Sequence, residues 1–427
     1  MSRAPYDVDA IRARFPSLSN TLPDGRPIAF LDGPAGTQVP QTVIDAYRDF
    51  FLHANANSGG AFPTSKRQGQ VDDAAHRAAE DLLNAPRESV KFGANMSTLN
   101  FQLSRSLAKS LKPGDEVIVS QLDHDANYSP WLWLAEDHGL TLKVIPIRTS
   151  DATLDIEAYA ALRSPRTKIV AVGMSSNAVG TINPSKEIVR LAHEVGALTV
   201  LDAVCSAPHY PIDVQALDTD FLLCSPYKFY GPHAGLLYGK LPLLERYGRY
   251  KVRPAHDLWE TGTPSFEAMA GTTAAIDHLA WIGREYGHDG APTVLTGRRA
   301  EIRAGLQAIT LYERTLVERL LDRLDETPGV TVYGITDRSQ LDHRTSIVSF
   351  TMEWATPTEA AEHLGADGIQ VWDGDFYAVN PVAALGLAER GGLLRVGLMS
   401  YNTAAEVDRL VDSLRALAAS RGVQFGR

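Results

Sequence analysis

The sequence predicts an α/β fold: a mostly parallel sheet in a large domain, followed by a smaller α+β domain. Two observations predict it. Short β-branched runs alternate with amphipathic stretches, and polar residues recur directly after successive apolar runs. Glu116–Ser120, 143–147, 168–172, 198–201 and Phe221–Cys224 read as buried strands. Between two of them, 185–195 places Ile188, Val189, Leu191 and Ala192 at helical spacing. Strand, helix, strand in this rhythm argues for parallel strands covered by helices.

Beyond a polar, glycine-containing break at 283–290, a long helical pattern covers 301–324. Strands follow at Val330–Tyr333 and 346–350, and 405–418 reads as a closing helix with Val407, Leu410, Val411 and Leu414 on one face. These boundaries predict a large domain over 25–285 and a small one made of 1–24 and 286–427. The chain has 427 residues, 44% hydrophobic and 22% charged, as expected for a soluble globular protein. A formal net charge of -10 argues against a nucleic-acid partner, which would recruit clustered Lys and Arg. Arg298, Arg299 and Arg303 read as a solvated helix face. No apolar run is long enough to span a bilayer and the N-terminus has no apolar leader, so no membrane partner is expected and the cytoplasm is the expected compartment. Two cysteines, Cys205 and Cys224, exclude a disulfide framework and a cysteine-rich metal site.

In open parallel sheets, ligands sit at the carboxyl ends of the strands. Those ends carry Asp123-His124-Asp125-Ala126-Asn127, Ser175-Ser176-Asn177, Asp202, and Ser225-Pro226-Tyr227-Lys228. Lys228 lies between Tyr227 and Phe229. An apolar setting depresses a lysine pKa and frees the amine as a nucleophile. A lone lysine would read as a surface residue; in this constellation Lys228 reads as a Schiff-base lysine for pyridoxal phosphate (PLP). Asp202 reads either as a helix cap or as the carboxylate that keeps the pyridine nitrogen protonated. His124 lacks further metal ligands at sensible spacing, and a flat imidazole suits stacking on a flat cofactor ring. The stretch Gly93-Ala94-Asn95-Met96-Ser97-Thr98, after an apolar run, suits a phosphate at a strand-to-helix turn, although an ordinary helix cap fits it as well in isolation.

At these residues the sequence resembles the class V aminotransferase family of fold-type I PLP enzymes, and most of all its cysteine desulfurases and desulfurase-like relatives. The resemblance runs from about residue 11 to the C-terminus. It is anchored on Phe30-Leu31-Asp32-Gly33-Pro34-Ala35-Gly36, the His124 and Asn177 segments, Asp202, Ser225–Lys228, Gly262-Thr263-Pro264, and Arg395 ahead of Tyr401-Asn402-Thr403. It implies a large domain with a mostly parallel seven-stranded sheet and a smaller α+β C-terminal domain. It also implies that Lys228 carries the cofactor and moves protons, that Asp202 pairs with the ring nitrogen and that His124 stacks on the ring. Asn95, Met96 and Ser225 would surround the phosphate, and Cys205 would lie beside the ring. Thr263 would reach the phosphate of the partner subunit, so a homodimer with active sites at the subunit interface is implied. Asn177 would lie near cofactor and substrate, with Ala35 and Gly36 on the substrate side, and Arg395 would clamp the substrate carboxylate.

The departures bear on the reaction. Where desulfurases carry a glutamine three residues after the aspartate, this chain has Cys205; where they carry a histidine before the lysine, it has Tyr227. Where they place a persulfide-forming cysteine in a C-terminal loop, residues 368–378 contain none and carry Trp372, Phe376 and Tyr377. A persulfide needs a thiolate at the substrate sulfur. The expected activity is therefore C–S β-elimination from cysteine or an S-substituted cysteine without an enzyme persulfide. Decarboxylation-coupled oxidative deamination, epimerisation, transamination and true desulfuration are the alternatives on the same scaffold, and a PLP-binding regulator is the non-enzymatic one.

Overall fold

The computed structural model describes residues 5–253, 257–287 and 295–425. Its centre is a seven-stranded sheet: β1 (Val90–Gly93), β2 (Glu116–Ser120), β3 (Thr141–Ile145), β4 (Thr167–Gly173), β5 (Leu198–Asp202), β6 (Phe221–Cys224) and β7 (Gly235–Gly239). The spatial order is β1-β7-β6-β5-β4-β2-β3. The run from β6 to β3 is parallel, and β7 lies antiparallel to both its neighbours. The inner strands are buried on both faces, which is why they read as continuous apolar runs rather than alternating ones. Their alternate residues still serve different cores: Ile118, Val170 and Leu222 pack on one side, Val117, Ile169 and Leu223 on the other. The strand expected over 143–147 ends at Ile145. Pro146 has no N–H to donate to a ladder, and Ile147–Arg148 turns away to pair with Thr153–Leu154 instead.

Helices α1 (Met96–Ala108), α2 (Ser129–His138) and α3 (Ser185–Glu194) connect the strands of the sheet, and α4 (Phe266–Tyr286) and α5 (Gly297–Asp325) lead toward the second sheet. The break expected from residue 283 is helical through Tyr286; residues 288–294 lie outside the described residues. Gly283 and Gly305 explain this. A Cβ on Gly283 would sit 1.8 Å from the Glu301 carbonyl oxygen, and one on Gly305 would sit 2.2 Å from that of Leu279. Both glycines are therefore contact points where α4 and α5 touch backbone to backbone. The first part of α5 (Ile302, Leu306, Ile309) joins the main core, and the second (Leu316, Leu320, Leu324) joins the core of the second sheet. That sheet is antiparallel, ordered β8 (Val330–Tyr333), β9 (Ile347–Met352), β11 (Leu393–Gly397), β10 (Trp372–Gly374), and is covered by α6 (Pro357–Ala366) and α7 (Ala404–Ser420). No helix among the described residues is long and apolar enough to cross a membrane.

Candidate active site

A cavity of about 650 Å³ opens at the carboxyl ends of β2, β4, β5 and β6, with β10 and β11 of the second sheet closing its far side. Lys228 ends the 3-10 turn Pro226–Lys228 that follows β6. It is buried, and its Nζ donates to the carbonyl oxygen of Pro34. Burial is the main cause that lowers its pKa to about 8, with the Arg395 charge acting in the same direction. Asp202 is the last residue of β5. One carboxylate oxygen accepts the Val204 N–H at 2.8 Å, and burial pushes its pKa up to about 6. A buried carboxylate facing a cavity is satisfied by a protonated ring nitrogen.

His124 begins the turn after β2. Its Nδ1 accepts the Ala126 N–H at 3.0 Å, so the neutral ring carries its proton on Nε2. Burial and then Lys228 lower its pKa to about 4, which keeps it neutral. Asp123 fixes the start of this turn: its carboxylate accepts the N–H groups of Ser120 and Gly173, tying the ends of β2 and β4 together. At the opposite wall Asn95 caps α1 by accepting the Thr98 N–H at 2.8 Å, and the Met96 N–H lies 3.3 Å from the Ser225 hydroxyl. A thirteen-residue helix thus directs its first N–H at a hydroxyl inside the cavity, a setting that suits a phosphate. Gly235 makes the approach possible, because a Cβ there would lie 2.4 Å from the Asn95 carbonyl carbon.

Arg395 enters from β11, paired in register with Trp372 of β10, so both side chains reach the cavity. Its guanidinium donates to the Asn177 carbonyl oxygen at 2.9 Å and lies 4.1 Å from the Phe376 ring. Its Nε and the Asn177 Oδ1 are buried without a hydrogen-bond partner. Two buried polar atoms without a partner, on residues that both line the cavity, call for a ligand that carries both a donor and acceptors. Asn177 also donates through Nδ2 to the Phe376 carbonyl at 2.9 Å.

The structure brings together Lys228, Asp202, His124, Asn95, Met96, Ser225, Asn177, Cys205, Arg395 and Ala35 around this one cavity. Gly36 is outside its lining and packs under the Tyr227 ring; Thr263 is exposed and away from its own chain's cavity. Sequence reasoning missed two contributors. Asp32 is a half-buried residue near Lys228 and Arg395 whose Oδ1 is buried without a partner, and desolvation raises its pKa to about 6; its place inside the Phe30–Gly36 anchor was the available clue. Trp133 lines the cavity from α2 and had no local motif to mark it. Cys205 and Cys224 both have thiols pushed up by burial, so neither is a ready thiolate.

The donor set fits PLP on these grounds: a buried amine, a buried carboxylate opposite it, a flat neutral imidazole, and a helix N-terminus beside a hydroxyl. The comparisons with known proteins agree. The model of the aminotransferase class-V family matches residues 29–289 and 299–410. A cysteine desulfurase of Dickeya dadantii is 31% identical over 96% of this chain and 97% of its own length, and one of Escherichia coli is 31% identical over 96% and 98%. The apo structure of a cysteine desulfurase from Thermococcus onnurineus superposes with a TM-score of 0.84 at 25% identity, over 98% of this chain and 100% of that one. The S-sulfonic acid form of an Escherichia coli cysteine desulfurase gives 0.82 at 27%, with the same coverage. With its fold, its cavity chemistry and its relatives in agreement, the chain belongs to the class-V aminotransferase family, as a PLP-dependent enzyme similar to the cysteine desulfurases.

Proposed function

We propose that this enzyme cleaves the Cβ–S bond of an S-substituted cysteine by β-elimination, without forming a persulfide on its own chain. The observation that carries this reading is the cavity rim. It presents Trp372, Phe376 and Tyr377 where the resemblance to desulfurases implies a cysteine, and both cysteines of the chain, half-buried Cys205 and buried Cys224, have thiols held in the protonated form by desolvation.

PLP, when bound, supplies the electron sink for negative charge at the substrate Cα. Lys228 would anchor it, Asp202 would pair with its ring nitrogen and the flat His124 ring would stack on it. The Met96 N–H, Asn95 and the Ser225 hydroxyl would hold its phosphate, with Thr263 supplied by the other subunit of a homodimer. Arg395 holds the substrate carboxylate, and Asn177 Oδ1, an acceptor, takes a hydrogen bond from the substrate's amino nitrogen. The Lys228 amine, with its pKa near 8, is neutral often enough to take the Cα proton. The sulfur leaves with the Cβ–S electron pair and gains a proton. Water then completes the balance: conjugate plus water gives thiol, pyruvate and ammonium.

The test is product analysis with S-substituted cysteines. Thiol and pyruvate should form in equal amounts; an aldehyde with carbon dioxide would overturn the reading. The names of the relatives favour a second reading, sulfur transfer from free cysteine, for which Cys205 is the thiol lining the cavity. Cys205→Ser separates the two: elimination survives it, whereas transfer through Cys205 is lost.

A further inference from the structure

The mouth of the cavity carries more than an elimination on a small amino acid requires. Phe101 from α1, Trp133 from α2, and Trp372, Phe376 and Tyr377 from the rim all line it. Trp133 is 50% exposed, Trp372 49% and Tyr377 71%. Neither tryptophan has a ring or cation partner among the described residues. Large rings gathered bare at one opening mark a binding surface.

The backbone under two of these rings is held in a costly conformation. Phe376 and Tyr377 have φ of 57° and 58°, the left-handed region that L side chains rarely adopt. Hydrogen bonds keep them there. The Phe376 carbonyl accepts from Asn177, the Tyr377 carbonyl accepts the Asp125 N–H at 2.7 Å, and the Tyr377 N–H donates to the Asp375 carboxylate at 2.9 Å. The turn therefore places two rings at the opening together with two carboxylates. Asp125 lines the cavity, supported by the Ser129 hydroxyl at 2.8 Å, and Asp375 sits within the rim.

Among the described lining residues the only lysine and arginine are Lys228 and Arg395, and both are buried. One ring of the rim already holds a cation, since the Arg395 guanidinium lies 4.1 Å from the Phe376 ring. Trp133 and Trp372 offer further open faces, Tyr377 tilts against the His124 ring at 5.6 Å with most of its surface exposed, and the turn that carries Tyr377 adds Asp125 and Asp375.

We propose that the mouth recognises an S-substituent bearing a cationic group, best of all an alkylated ammonium, held by aromatic faces with carboxylates nearby. The inference rests on the lyase reading for the cysteine half of the substrate. Aromatic faces attract a cation through the ring quadrupole, and an alkylated ammonium is weakly hydrated enough to be taken from water by them. An anionic substituent would meet Asp125 and Asp375 and be rejected.

Two isosteric substrates isolate the charge: S-(2-trimethylammonioethyl)cysteine and S-(3,3-dimethylbutyl)cysteine, which differ by nitrogen for carbon. Their methylene-for-sulfur analogues carry no leaving group and report binding to the holoenzyme by calorimetry, independently of turnover. The cationic analogue should bind about tenfold more tightly than the neutral one. Trp133→Ala, Trp372→Ala and Asp125→Asn should each narrow that ratio, and Trp133→Phe should retain part of it. Equal or tighter binding of the neutral analogue would overturn cation recognition, even if both sulfur compounds release thiol. A cationic preference in binding with no thiol release would sustain the mouth's assignment and overturn the lyase reading. Failure of both analogues to bind would overturn the assignment.

Discussion

At the scale of single residues, Lys228 is a cation placed where a cation is costly. Its folded pKa of about 8 lies below the ordinary 10.5. Between those values the unfolded chain binds more protons than the folded one, so the lysine's contribution to stability rises with pH across that window. Below it the burial cost is fully present. Lys228→Met in the cofactor-free protein should therefore be more stable than the parent at neutral pH, by up to about 3 kcal/mol, with the gap closing from pH 8 to 10.5. Urea titrations across that range check it. Tyr377 makes the opposite trade. Tyr377→Gly relieves a left-handed residue and should raise stability by about 1 kcal/mol, while raising KM for S-substituted cysteines because a mouth ring is gone. A rise in stability with unchanged KM would show that the ring is not used.

At the scale of elements, the glycines at the α4–α5 crossing decide the packing. Gly305→Ala gains about 1 kcal/mol in helix propensity but drives a methyl into the Leu279 carbonyl, and overpacking against backbone costs about 1–3 kcal/mol. A net lowering of Tm is expected, measured by calorimetry. These glycines also show why part of the organisation was illegible. In one dimension Gly283 resembles a helix breaker, and only the partner helix reveals it as a contact point. The inner strands were legible because burial on both faces leaves an unbroken apolar run. Lys228, Asp202, His124 and Asn177 were legible because each follows such a run. Trp133 was not, since an aromatic residue on a helix looks the same whether it packs inward or lines a mouth. Arg298 and Arg299 were misread as a solvated face; both clasp Asp81, which lies near the end of the helix Pro63–Leu82. A charge run shows no partner distant in sequence.

At the scale of the whole molecule, the homodimer proposal turns on Thr263, which is exposed and outside the lining of its own chain's cavity. If it serves the other subunit, Lys228→Ala and Thr263→Val chains complement each other. A mixed dimer then holds one site with both residues intact, and activity should reappear when two impaired proteins exchange subunits. If Thr263 served its own chain, no mixed dimer would contain an intact site and activity would stay low. Five parallel strands and their polar ends were legible in the chain's own pattern, and the count of seven came from the family resemblance. The placement of Arg395 was foreseen only through the resemblance and not through any local pattern, because it comes from a different sheet, far along the sequence, and is set beside Asn177 by the way the two sheets close on the cavity.

Asn177 has a consequence for how the enzyme senses the length of its substrate. Its carbonyl accepts from Arg395, the proposed carboxylate clamp, and its amide donates to the rim at Phe376. One side chain and its own peptide thus act as a shared tether between the two ends of the bound molecule. Any movement of the clamp on seating a carboxylate is transmitted to the rim, so affinities for the two ends cannot be independent. Changes to the carboxylate end and to the sulfur substituent should be non-additive in double-mutant and double-substrate cycles, and Asn177→Ala should restore additivity by cutting the tether.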